Sequence, residues 1–146
     1  MDIYDNNINV LTNYIADGSK GCNSNAVGVE LEHFVIDKNG DCVPYINGVE
    51  NIIEQLAQNF SKHVYSEGFL IGLSCDKYNI TLEPGAQIEI SIKPTENICE
   101  IENIYGEFLS VINPILDKYS YRLTTLGYMP KNKAKDISLI PKKRYE

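Results

Sequence analysis

Two short stretches constrain the fold more than anything else in the chain. In VGVELEHFVI (27–36), Val27, Val29, Leu31 and Val35 alternate with Glu30 and Glu32; in AQIEISI (86–92), Ile88, Ile90 and Ile92 alternate with Gln87, Glu89 and Ser91. Successive side chains of an extended chain point to opposite faces, so each stretch predicts a half-buried strand with an apolar side and a polar side. Glutamate is depleted in strands. Its repeated placement in the polar phase therefore calls for a reason.

A further glutamate, Glu83, stands just before Pro84-Gly85 at the head of the second stretch. Laid in one sheet with their polar faces on the same side, the strands would gather Glu30, Glu32, Glu83, Gln87 and Glu89 into one patch. Carboxylates so close raise one another's pKa, and such a cluster implies a cation that holds it together. Oxygen-only donors suit a hard ion, Mg²⁺ or Mn²⁺, and no convergent Cys/His spacing offers a zinc site. A merely solvated acidic face would intersperse lysines for balance. None falls between these glutamates, and Lys93 comes only at the end of its strand.

Around these strands the pattern alternates between short extended runs and helices. Ile8, Leu11 and Ile15 predict a helix over 4–16; Asn39-Gly40 predicts a hairpin that returns through CVPYI (42–46); GVENIIEQLAQNF (48–60) predicts an amphipathic helix. FLIGL (69–73) and YNITLE (78–83), joined by SCDK, predict another hairpin, and Pro84-Gly85 predicts a bulge or bend. Thr95 and Glu96 open a long helix with Ile98, Ile101, Tyr105, Phe108, Ile112, Ile115 and Tyr119 as its core stripe and a kink at Pro114. YRLTTLGY (121–128) predicts a last strand, with a further helix beginning after Pro141.

The sum is one α+β domain, a mostly antiparallel sheet with helices on one face, within 146 residues. Helices need the apolar face. The acidic face is then half of a cleft that another chain or segment completes.

Charge and composition exclude several classes. A net charge of −7 and a pI near 4.8 argue against nucleic-acid binding. The absence of a long apolar run or a leader pattern sets the expectation of a cytoplasmic chain with no membrane partner. Cys22, Cys42, Cys75 and Cys99 form no CxxC and read as reduced packing thiols. His33 lies on the apolar phase and reads as a hydrogen-bonded, semi-buried histidine; His63 is isolated. The basic run KNKAK (131–135) and PKKRYE (141–146) read, on their own, as a solvated loop and tail.

Three motifs in order change that reading: VGVELEHF, ITLEPGAQIEIS, and LTTLGYMPKNKAKDISLIPKKRYE. The set resembles the glutamate–cysteine ligases of the plant and bacterial type, with their GxExE strand, LEPGGQxELS strand and PKxRY segment, over essentially the whole chain. The resemblance implies a curved, mostly antiparallel sheet that forms part of a glutamine-synthetase-like catalytic funnel. It implies ATP-dependent, Mg²⁺-dependent ligation of the glutamate γ-carboxyl to the cysteine amine through an acyl phosphate, the first step of glutathione synthesis. By the same resemblance Glu30, Glu32, Glu83, Gln87 and Glu89 hold the metal. Lys142 and Arg144 contact the nucleotide, Arg144 also acts in catalysis, and Tyr145 packs beside them.

Two departures stand out. Ala86 replaces the second glycine of EPGGQ. The family's members are also much longer, which implies that this chain is an N-terminal portion, completed by a C-terminal segment or a homo-oligomer. A non-catalytic module of the same fold that self-associates through open sheet edges, and a related ligase with another amine substrate, are the alternative readings.

Overall fold

The computed structural model describes residues 2–19 and 25–145. Helix α1 (Ile3–Asp17) is followed by strand β1 (Val27–Ile36), helix α2 (Glu50–Leu56) and strands β2 (Lys62–Ser66), β3 (Phe69–Ser74), β4 (Tyr78–Leu82) and β5 (Ile88–Thr95). Helix α3 (Ile98–Lys118) and strand β6 (Arg122–Thr124) complete the order. The six strands form one antiparallel sheet in the order β2-β3-β4-β5-β1-β6. It is an α+β architecture with an open sheet, bounded by β2 and β6, that does not by itself close into a funnel.

The apolar phase of each strand becomes the core. Ile88, Ile90 and Ile92 of β5, and Tyr78, Ile80 and Leu82 of β4, are buried in one cluster with Ile52, Ile53 and Leu56 of α2 and Ile101, Ile104, Phe108, Ile112, Ile115 and Leu116 of α3. Thus α2 and α3 cover one face of the sheet. Of the predicted α3 stripe, Ile98 and Tyr119 are instead exposed, while Ile104 and Leu116 are buried. The cap is Asn97 rather than Thr95: the Asn97 side chain accepts the Cys99 N–H at 2.9 Å. The helix continues through Pro114.

Other expectations shift at their ends. The Asn39-Gly40 turn forms, with Gly40 at φ 79°, and Val43 N–H reaches Val35 O at 2.9 Å, but CVPYI is not a strand. Pro44 has no N–H to donate, and Tyr45–Val49 instead coils into an irregular helical turn with Asn47 at φ 58°. The helix expected over 48–60 is regular only over Glu50–Leu56, and the last strand only over Arg122–Thr124. After Pro141 a single tight helical turn, Lys143–Tyr145, replaces the expected helix. Strand β2 was not expected at all; it joins β3 through Glu67 and Gly68, both at positive φ (50° and 85°). No helix among the described residues is long and apolar enough to cross a membrane.

Cys42 and Cys75 are half-buried free thiols, whereas Cys99 is exposed and so is not a packing residue. Cys22 lies outside the described residues. His33 is buried outright, at 1% exposure. Its Nδ1 faces Ile88 O at 3.2 Å and its Nε2 faces the Tyr105 hydroxyl at 2.8 Å, so the ring bridges sheet and helix α3.

A candidate metal centre on the open face of the sheet

The site grows out of strand register. Strand β5 lies between β1 and β4, which places Glu89 opposite Glu32 on one side and Thr81 on the other. Two residues along, Ser91 stands opposite Glu30 and Asn79. Because facing residues in an antiparallel pair share a side, Glu30, Glu32 and Glu89 project from the face that the helices leave bare. Glu83 follows directly on β4 in the same phase as Asn79 and Thr81. Glu30 and Glu32 are exposed; Glu83, Gln87 and Glu89 are half-buried.

Glu32 feels the other three carboxylates. Slight desolvation at the sheet surface pushes the Glu32 carboxyl up from its usual value, and the charges of Glu83, Glu89 and Glu30 push it further. Among the described residues no ion pair reaches any of the four. As the side chains stand, the described residues contain no group of three or more His, Cys, Asp or Glu placed to hold an ion. The strands assemble a repelling, uncompensated patch rather than a closed cage.

Gln87 is tied to the turn that precedes β5. Its Oε1 accepts the Gly85 N–H at 2.9 Å, while Ala86 N–H bonds Glu83 O at 2.8 Å and Glu83 N–H bonds Gln87 O at 3.0 Å. This is a three-residue hairpin loop ending in a left-handed residue, a position that ordinarily selects glycine. Ala86 occupies it at φ 63° with its methyl buried. The departure from the family motif thus falls where a side chain carries backbone strain.

The C-terminal segment brings the basic residues to the same neighbourhood. Asn132 Oδ1 accepts the Cys42 N–H at 2.8 Å, and Ile140, itself buried, donates its N–H to Pro84 O at 2.9 Å. Docked in this way on the 83–87 turn, the segment ends with Arg144 and Lys142 over the Tyr145 ring, at 4.8 Å and 5.6 Å from its centroid. The Arg144 guanidinium is held above its usual value first by its hydrogen bond to the Tyr145 hydroxyl and, more weakly, by the charge of Glu83. Among the described residues neither Arg144 nor Lys142 makes an ion pair with any of the four glutamates.

Sequence reasoning missed the hydroxyls. Thr81 Oγ1 and Ser91 Oγ both donate to Glu89 Oε1, each at 2.9 Å. Only the alternation that put them in the polar phase could have signalled them. Beside Glu30 a hollow of about 440 Å³ opens, with Asn79, Ser91 and Lys93 in its lining.

With this geometry in view, comparison with known proteins is decisive for ancestry. The profile of glutamate-cysteine ligase family 2 (GCS2) matches residues 26–146. The chain belongs to that family. It is similar to the chloroplastic glutamate–cysteine ligase of Medicago truncatula, 28% identical over 137 residues that make up 93% of this chain and 27% of that protein. The chloroplastic enzyme of Arabidopsis thaliana is 28% identical over 91% of this chain and 26% of its own length. Glutamate–cysteine ligase A of Oryza sativa subsp. japonica, also chloroplastic, is 28% identical over 93% and 28%. The chain thus spans about a quarter of the curated relatives it matches.

Proposed function

We propose that the open sheet face is one wall of an ATP-dependent carboxylate–amine ligase site, in which the glutamate γ-carboxyl is joined to the cysteine amine through an acyl phosphate. One observation carries the reading. Glu32 faces Glu89 across the β1–β5 ladder, with Glu30 and Glu83 close enough to raise the Glu32 pKa and no cationic side chain paired to any of them.

The donor set fits a hard divalent ion: carboxylate oxygens on adjacent strands, uncompensated charge, and no nearby thiolate or imidazole. Glu30, Glu32, Glu83 and Glu89 would hold Mg²⁺ or Mn²⁺ after side-chain rotation, with the Gln87 amide oxygen, already engaged by Gly85 N–H, as the fifth and most constrained donor. When bound, such an ion bridges phosphate oxygens and offsets the charge that develops on phosphoryl transfer. Arg144 follows the segment that Ile140 docks on the 83–87 turn, and its planar guanidinium can grip a phosphate through two N–H groups. Lys142, stacked with it on Tyr145, adds a second cation for the nucleotide. The remaining walls of the site come, in this reading, from a C-terminal segment or a second copy.

The test combines binding with product detection. Calorimetry should show Mg²⁺ uptake by the chain that disappears in a Glu30→Gln/Glu89→Gln variant. Mass spectrometry of the chain with glutamate, cysteine, ATP and Mg²⁺ should show any γ-glutamylcysteine formed to depend on ATP and on the same two glutamates. A parent chain that takes up no divalent ion, or product that survives the double variant, would overturn the assignment.

A further inference from the structure

The proposed metal face leaves open how a carboxylate among three like charges is held in one orientation. On β5 the answer is local. Glu89 Oε1 accepts two hydrogen bonds, from Thr81 Oγ1 across the β4 ladder and from Ser91 Oγ two residues along its own strand, each at 2.9 Å. An ionised carboxylate oxygen offers about two lone-pair sites, so Oε1 is saturated. Among the described residues no hydrogen bond reaches Oε2.

We infer that Thr81 and Ser91 are positioning residues that make Glu89 a one-oxygen metal ligand, with Oε1 turned back onto the sheet and Oε2 presented to the open face. The inference rests on the reading of Glu89 as a ligand. Its chemical consequence is selectivity. Small octahedral ions such as Mg²⁺ and Mn²⁺ take single carboxylate oxygens, whereas Ca²⁺ with its larger shell readily accepts both oxygens of one carboxylate. A glutamate locked at Oε1 disfavours the second arrangement. Freed of its two hydroxyl donors it can swing to either.

The two donors come from different places in the chain. Thr81 is fixed by cross-strand register, while Ser91 is fixed by strand period, so neither depends on a loop. Hydroxyls also suit the task because they donate without adding charge. A lysine there would neutralise the ligand, and a valine of the same shape as threonine would leave it unguided.

The experiment is a Mn²⁺ titration of the full chain, read by the electron paramagnetic resonance signal of free Mn²⁺, with Ca²⁺ as competitor. Glu89→Gln should weaken Mn²⁺ binding. Thr81→Val/Ser91→Ala should weaken it by about 10-fold or more, the usual scale for loss of a partner behind a ligand, and should let Ca²⁺ compete better. The triple variant should be no weaker than Glu89→Gln alone, because the hydroxyls act only through Glu89. Thr81→Ser/Ser91→Thr, which keeps both hydroxyls, should bind as the parent does, and thermal melts of all variants show which are folded. Should the Val/Ala variant melt out, single Thr81→Val and Ser91→Ala changes give the same comparison. Parent-like binding by folded hydroxyl-less variants, with Glu89→Gln still weak, overturns the positioning role and leaves the ligand reading intact. An undiminished Glu89→Gln, or a parent that binds no Mn²⁺, overturns both.

Discussion

Glu32 and His33 are consecutive on β1, and desolvation, slight for the first and strong for the second, shifts both away from their usual values in the direction that favours the neutral form. Slight desolvation pushes the Glu32 carboxyl up, helped by three neighbouring carboxylates, and burial pushes the His33 imidazole down. The two faces of the sheet treat these groups differently. On the core face, His33 has a partner at each ring nitrogen and stays neutral. On the open face, Glu32 has only like charges beside it. The sheet resolves its electrostatics where it packs and leaves them unresolved where it faces outward, the pattern expected of a surface that awaits a cation.

The largest effect that could break this contrast lies in the packed layer. Ile90 is fully buried and sits between Leu31 of β1 and Ile80 of β4. Ile90→Ala should cost about 2–5 kcal/mol in urea denaturation. A loss below about 1 kcal/mol, no more than a single buried methylene contributes, would mean that the core face is not what holds the sheet.

Next comes the bridge to α3. Tyr105→Phe removes the hydroxyl that meets His33 Nε2 and should cost about 1–2 kcal/mol near neutral pH. A base whose folded pKa is lowered lets the unfolded chain bind more protons, so the His33 contribution is lost as pH falls below the usual 6.5. The parent should therefore lose stability over that range more steeply than the Phe variant does. Parallel curves would mean that burial alone, and not the Tyr105 hydroxyl, keeps the His33 pKa low.

The smallest effect has the opposite sign. Glu32→Gln relieves like-charge repulsion at an exposed position and should raise stability by about 0.5 kcal/mol at neutral pH. A carboxyl whose folded pKa is raised contributes stability below its usual 4.5 that is lost as pH rises through the folded value. The advantage of the variant should accordingly vanish in acid. Mg²⁺ should stabilise the parent more than the variant; equal stabilisation would detach Glu32 from the proposed metal face.

The strands that carry the site were legible because their signal is local. Alternation in 27–36 and 86–92 marked both the core isoleucines and the polar phase with its glutamates. Strand β2 was not legible: KHVYS is an edge strand with Val64 and Tyr65 both exposed, so no alternation is written into it. The α3 stripe was misplaced at both ends: Ile98 is exposed, and Tyr119 lies outside the core, stacked on Tyr121 with its hydroxyl bonded by Gln55. Thr81 and Ser91 looked like ordinary polar-phase residues until register placed both on one oxygen of Glu89.

The sequence by itself determined which side chains share a face, since a period of two is a property of each extended segment alone. It also determined the family, through three motifs in order that the profile over residues 26–146 matches. Only the tertiary structure decided that Glu32 stands opposite Glu89, and that Ile140 docks on Pro84 and holds the basic segment against the 83–87 turn. Such pairings depend on which strands become neighbours and in what register. That choice is made by long-range hydrogen-bond ladders and by a buried core assembled from distant segments, not by local periodicity.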